Sequence, residues 1–463
     1  MKKRRRWIWL STATGLMAWA AYATWRLDER AERVWALVEA VDFDEATERR
    51  REWIVEQTWI PQALAIWLIT ATAQPENVNL AKLETPEAKR ALVEGTWPEL
   101  KSLRAEWPDR EAPLPIPLRA ANLESIRIVG CSGSDLALSS LPPIPGLKEL
   151  DVVESGELAV TIGSPSRFPL LERLSLRRVS DLENAWSAIG ALPKLRELDI
   201  FDSDTGSLSG LRLANSLQRL RLEVARIDAA GTEALSGLTR LRQLTLDSRS
   251  VDWAALRRFG LPRNLESLEV RMHARLSSEA AGTYLDVLKT LAGLERLRVL
   301  KIEYQGSAEE LKAVATIPNL EELTILTGPG APLNEAAALG LSGASGLRRL
   351  KFDAYTFFVG EAPSKEIQLS AAMGATLRGL HRLESLEGGD ASTDFFAALA
   401  EHSALRNMEL WHSLLGDEEA ALIERIPRLE QLKVHNPRIS GKGPERLSEL
   451  LRRRGGNLII YAE

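Results

Sequence analysis

Ala229–Leu246 reads AAGTEALSGLTRLRQLTL, and the fold turns on how this stretch is parsed. Its first half has helical spacing, with Gly231, Ala234 and Leu235 on one side. Its second half, Leu241-x-x-Leu244-x-Leu246, has the period-two apolar alternation of a short buried strand. The same spacing recurs 24 residues upstream at Leu217, Leu220 and Leu222, and 24 downstream at Leu265, Leu268 and Val270. One such unit cannot bury its apolar side alone, whereas stacked copies can.

The frame runs in both directions. It starts at Leu123/Ile126/Ile128 and continues through Leu147/Leu150/Val152, Leu171/Leu174/Leu176 and Leu195/Leu198/Ile200. Beyond Leu265 come Leu297/Leu300/Ile302, Leu320/Leu323/Ile325, Leu347/Leu350/Phe352, Leu405/Met408/Leu410 and Leu429/Leu432/Val434. A degenerate copy, Leu383/Leu386, has Gly388 in its third place, which makes 13 units, and Leu458–Ile460 adds a terminal strand. The first six intervals are 24, 24, 24, 22, 24 and 24 residues. This pattern resembles the leucine-rich repeat family over about three quarters of the chain. The resemblance implies an α/β fold: a curved solenoid with parallel strands on the concave face and helices or turns on the convex one. It also implies a binding protein. That family usually has Asn or Cys eight residues after the first leucine, where it hydrogen-bonds the turn. Here only Cys131 fits, while Ser155, Val179, Ser203, Ala225 and Arg249 occupy the other places. A subclass without the asparagine ladder is therefore expected, with looser turns and Cys131 as a buried turn residue.

Composition narrows the function. The formal net charge is −5, whereas a nucleic-acid protein usually carries a basic domain. A single cysteine allows neither an intrachain disulfide nor a cysteine-based zinc site. No Asn-x-Ser/Thr sequon occurs, which fits a bacterial chain. Ten of the 13 tryptophans precede residue 108, so the two ends of the chain differ in kind.

Residues 1–25 read as a signal-anchor. Lys2–Arg6 is basic throughout and Trp7–Trp25 is uncharged, about 28 Å long as a helix. Trp7, Trp9, Tyr22 and Trp25 sit where interfacial aromatics belong, and the charge bias puts the amino terminus in the cytoplasm and the repeats outside. The rival reading is a cleaved signal peptide, with Ala18-Trp-Ala20 or Ala21-Tyr-Ala23 as its cleavage site and a secreted product. Residues 26–117 read as a helical collar closed by a linker with Pro108, Pro113, Pro115 and Pro117. Within it, Thr96 and Glu99 have capping-box spacing for a helix, and the apolar run Pro61–Ala73 is too short for a second span. Residues 118–463 form the repeat domain.

Candidate binding residues follow from exposure. Residues between the leucines of each strand face away from the core. They alternate in sign, as in Arg173/Ser175/Arg177 and Glu197/Asp199/Phe201, so no single-sign field for nucleic acid arises. Aromatics at such places are the better markers of a protein interface. Phe201 and Trp411 follow the third apolar residue of their strands, and Tyr304 and His412 lie one place later. Long intervals at Leu265–Leu297, Leu320–Leu347 and Leu347–Leu383 predict insertion loops, and the last holds Tyr355, Phe357 and Phe358. The best site expectation is that cluster leaning over the concave face beside Trp411. The alternative is that Phe357 and Phe358 only extend the core.

Catalysis is not expected, and neither is a cofactor. The five histidines, His273, His381, His402, His412 and His435, form no metal-spaced pair. Gly130-Cys-Ser-Gly133 is not a nucleophile elbow and Ser440-Gly-Lys-Gly443 is not a phosphate loop. The predicted function is a membrane-anchored, non-catalytic module that recognises a protein partner on its concave face and insertion loops. A self-associating envelope component, pairing through the edge strand Leu458–Tyr461, is the alternative, although Arg452–Arg454 beside it would oppose pairing.

Overall fold

The leucine triplets form strands, as their alternation requires. The computed structural model describes residues 77–79, 100–106, 122–129, 136–137, 143–153, 160–161, 164–179, 182, 185–203, 205–272, 276–327, 333, 335–354 and 367–461. The expected anchor at 1–25, most of the collar, Cys131, Tyr355, Phe357 and Phe358 lie outside the described residues. Two units are distinguished, Met1–Gly206 and Ser207–Glu463.

In the first unit six parallel strands lie side by side. They are β1 (Asn77–Asn79), β2 (Ser102–Glu106), β3 (Ser125–Val129), β4 (Glu149–Val153), β5 (Arg173–Arg177) and β6 (Glu197–Ser203). Their register is the repeat itself: Leu150 stands beside Leu174, and Leu174 beside Leu198. These leucines, with Val152, Leu176 and Ile200 two places on, are fully buried. A short helix, α1 (Trp186–Gly190), buries Trp186 and Ile189 behind the sheet.

The helical-collar expectation is corrected at two places. Residues 77–79 and 102–106 are strands, not helix or linker, and β2 pairs with β3 as Leu103↔Ile126 and Ala105↔Ile128. The reason is visible in Leu100-Lys-Ser-Leu103-Arg-Ala105, a further copy of the apolar triplet with alanine in its third place. Leu100 and Leu103 have no exposed surface. Burial of that row outweighs the local capping signal of Thr96 and Glu99.

In the second unit ten parallel strands follow in chain order. They are β7 (Arg219–Ile227), β8 (Gln243–Val251), β9 (Ser267–Met272), β10 (Val299–Tyr304), β11 (Glu322–Thr327), β12 (Arg349–Ala354), β13 (Ser385–Glu387), β14 (Asn407–Trp411), β15 (Gln431–His435) and β16 (Asn457–Tyr461). Helices follow most strands, and several of their starts are capped by a side chain. Asp228 accepts the Gly231 amide at the head of α2 (Ala229–Ser236), and Asp252 accepts the Ala255 amide at the head of α3 (Trp253–Phe259). Ser277, Ser370 and Ser392 cap later helices in the same way. The long Leu265–Leu297 interval is taken up by a longer helix, α4 (Ser278–Thr290), which buries Tyr284, Val287 and Leu288.

The turns are not uniformly looser for want of asparagine. Ser203 Oγ accepts the Val179 amide at 3.1 Å and donates to the Phe201 carbonyl at 2.7 Å. Ser413 Oγ accepts the Ala391 amide at 2.8 Å and donates to the Trp411 carbonyl at 3.3 Å. Both serines stand eight residues after a first leucine, so a hydroxyl replaces the amide side chain there. Ser203→Ala and Ser413→Ala should each lower stability by about 1–3 kcal/mol, the cost of leaving a buried amide unpaired. Asparagine at either place should recover most of it. Urea denaturation of each variant checks this, and alanine variants as stable as the wild type would contradict it.

Candidate functional site

Residues that alternate with the leucines carry the chemistry of the sheet face. Most charges there are held by neighbours one strand away. Arg173 bridges Glu149 at 2.9 Å and Glu197 at 2.6 Å. Glu269 meets Arg271 at 2.6 Å and Lys301 at 3.1 Å. Burial by itself would raise the Glu269 carboxyl, but Lys301 and then Arg271 hold it below its usual value. Lys351 pairs with Glu387. Such part-exposed pairs set cross-strand fit more than stability.

One group on this face is built differently. Trp411 at the end of β14, His435 at the end of β15 and Tyr461 at the end of β16 stand in register, one strand apart. The Trp411 and His435 rings stack with centroids 5.2 Å apart and planes 11° from parallel, and His435 and Tyr461 do so at 4.5 Å and 13°. Below the stack, Glu409 lies 2.8 Å from His435 Nε2 and 3.3 Å from Lys433 Nζ. Burial tends to raise the Glu409 carboxyl, and these two partners outweigh it and lower it. Arg438 braces the flank, donating to both Asp390 oxygens at 3.0 and 3.1 Å and to the His412 carbonyl at 3.0 Å. The result is a rigid π surface rimmed by charge, which suits recognition.

The sequence-predicted residues fare unequally. Trp411 is in the stack and half-buried. Phe201 is half-buried in the first unit with the Arg177 guanidinium 4.5 Å above its ring. His412 is half-buried, and its place is a turn: its φ is 53° and its amide donates to the His435 carbonyl at 2.8 Å. Arg178, Asp202 and Asn436 adopt the same left-handed conformation seven residues after their own first leucines. Exposure of Tyr304 is corrected. β10 continues through it, the pleat turns it to the leucine side, and it is 1 % exposed. His435 and Tyr461 were not singled out by sequence reasoning. Their signal is the repeat register, which places both under the column that starts at Trp411.

A second cluster is buried. Glu303 accepts the Met272 amide at 2.6 Å, Glu310 accepts the Gln305 amide at 2.9 Å, and the Tyr284 hydroxyl donates to the Glu303 carbonyl at 3.2 Å. Desolvation raises both carboxyls to about 7, Glu303 with help from Asp247. It also raises the Tyr284 hydroxyl well above its ordinary value. These groups terminate turn amides, so their place is in the scaffold. Among the described residues no three His, Cys, Asp or Glu side chains are grouped to hold a metal ion.

No family model matches the chain, and no curated protein matches it. Among solved structures it is similar to an internalin from Listeria monocytogenes, 14% identical over 60% of this chain and 78% of that one, TM-score 0.37. A leucine-rich-repeat protein of Leptospira interrogans is 15% identical over 81% of this chain and 92% of that one, TM-score 0.37. The receptor of the TLR13–ssRNA13 complex is 13% identical over 79% and 57%, TM-score 0.44. The assignment rests on the chain's own register, in which buried triplets of parallel neighbours align strand after strand. Each unit is a stack of parallel-stranded repeats, each built on a buried apolar triplet that is mostly leucine. Eight places after the first leucine, Ser203 and Ser413 close their turns.

The raised carboxyls carry a pH signature. A folded value of about 7 above an ordinary 4.5 means that the folded chain holds these protons more tightly. Their contribution is complete below 4.5 and is lost as pH rises through 7. His402, lowered by burial, acts in the opposite sense below 6.5, so the comparison must be between variants. Urea midpoints taken near pH 5 and pH 8 should therefore fall less in Glu303→Gln/Glu310→Gln than in the wild type; equal falls would refute the assignment. At the turn, His412→Gly should preserve stability and His412→Val should cost about 1–2 kcal/mol, because only the latter opposes positive φ.

Proposed function

We propose that this chain is a non-catalytic protein-binding scaffold, held to a membrane by its N-terminal segment with the repeats outside the cytoplasm. The observation that carries the binding role is the Trp411–His435–Tyr461 stack. Its three rings are ordered before any partner arrives, so little conformational freedom is lost when one docks. Tyrosine and tryptophan are also the side chains that most often dominate protein interfaces. The charged rim of Glu409, Lys433, Asp390 and Arg438 suits orientation of a partner. Tyr355, Phe357, Phe358 and Phe201 are further contact candidates, and His412 contributes by positioning the turn beside Trp411.

The membrane part of the proposal rests on Lys2–Arg6 followed by the uncharged run Trp7–Trp25. Among the described residues no helix is long and apolar enough to cross a membrane. A bacterial envelope would thus supply the partner.

Two measurements test this reading. Immobilised wild-type protein should retain a discrete protein from envelope extracts of its own cells, and Trp411→Ala with Tyr355→Ala should weaken that retention at least about 10-fold, as loss of a hot-spot residue does. Retention unchanged in a folded double variant overturns the site. Protease added to spheroplasts should cut the repeats and leave a membrane-bound N-terminal fragment; repeats protected until lysis would overturn the topology.

A further inference from the structure

The ring column stops at Trp411 on the side away from His435. Trp411 and His435 stand in register on neighbouring strands, with rings 5.2 Å apart and 11° from parallel. The stacking direction therefore runs across the strands, and the second face of the Trp411 indole looks toward β13. There the equivalent place falls to Gly389, whose carbonyl accepts the Trp411 amide at 3.0 Å. Its φ is 85°, and a Cβ on it would meet Leu369 at 2.8 Å and Ile367 at 3.1 Å, both buried in the core. The core thus fixes this residue as glycine, and it adds no side chain to the column beside the indole.

Asp353 stands on the far side of this gap. Lys351, Glu387 and Glu409 pair in register across β12, β13 and β14. Two residues on, the same face carries Asp353, Gly389 and Trp411, so Asp353 and Trp411 are two strand spacings apart, roughly 10 Å. A flat group at the Gly389 place would lie about one spacing from each, as His435 does on the other side of Trp411.

Charge around the gap is unbalanced. Asp353, Glu387 and Glu409 all act on one ammonium, that of Lys351, which pairs with Glu387 and lies 3.7 Å from Asp353. Burial alone would lower the Lys351 ammonium, and these carboxylates raise it instead. The Asp353 side chain is still 41 % exposed. Arg438 is committed to Asp390 and the His412 carbonyl. Among the described residues no guanidinium of the chain lies over the Trp411 ring.

We propose that the gap takes an arginine side chain of the protein partner, its guanidinium stacked on Trp411 and paired with Asp353. The inference rests on the binding role of Trp411 and names the group that Trp411 would hold. Arginine meets each requirement of the place. It is flat enough to continue a column of stacked rings, and tryptophan is the ring that attracts a cation most strongly. Its fork of N–H donors matches a carboxylate. Lysine would bring the charge without the plane. An aromatic residue would bring the plane and leave Asp353 unanswered.

The test uses the full chain in mild detergent, labelled with fluorotryptophan, with the Trp411 fluorine signal assigned by its loss in Trp411→Phe. Acetyl-arginine amide should move this signal at about 10-fold lower concentration than acetyl-citrulline amide, flat but neutral, or α-acetyl-lysine amide, charged but not flat. Asp353→Asn should erase most of the arginine advantage and leave the citrulline response and the circular dichroism unchanged. A Trp411 signal that arginine moves no better than the other two, or that none of them moves, overturns the proposal. So does an arginine advantage that survives Asp353→Asn. If Trp411→Ala with Tyr355→Ala still loses the envelope partner in that case, the binding role stands and only the arginine falls.

Discussion

One carbonyl oxygen per repeat holds the stack together. It belongs to the residue after the first leucine, and in most repeats it accepts two consecutive amides from the next one. Lys148 takes those of Glu172 and Arg173 at 2.8 and 2.9 Å, Gln218 those of Arg242 and Gln243 at 2.9 and 3.0 Å, and Glu384 those of Arg406 and Asn407 at 2.9 and 3.0 Å. This three-centre bond sets strand register before any side chain is considered, and the leucine rows then pack because the register is already correct.

Because backbone atoms form the hook, almost any residue can carry it: lysine, glutamate, arginine and glutamine all do. The spacing between hooks is equally free. Glu266 reaches Arg298 across α4 as readily as Arg242 reaches Glu266 across α3. What is left to selection is an apolar triplet and a turn closure that serine, or a buried glutamate such as Glu303, can supply. Sequence can therefore drift far while the architecture persists.

The same physics explains what could be read from the sequence. Leucine rows were legible because they depend on residue type at fixed spacing, as Leu241/Leu244/Leu246 show. β2 was harder, since Ala105 weakens the triplet and the Thr96–Glu99 signal competes locally. Ser203 and Ser413 were missed as turn closures because serine is common and its role depends on which amide it reaches. The stack was half legible. Trp411 stood out as an exposed aromatic, but His435 and Tyr461 gain meaning only from a register that runs 24 and then 26 residues ahead. Tyr304 failed for the opposite reason: one extra residue of strand reverses the face on which a side chain emerges.

The hooks between neighbouring strands have a mechanical consequence. Every hook ties a repeat to its immediate neighbour, so tension applied to Tyr461 across the strands loads one strand's bonds at a time. Under such a load the strands should part like a zipper, with β16 leaving β15 before β15 leaves β14. A partner gripping the rings of Trp411, His435 and Tyr461 together spans the last three strands, and it would act as a clasp on that zipper.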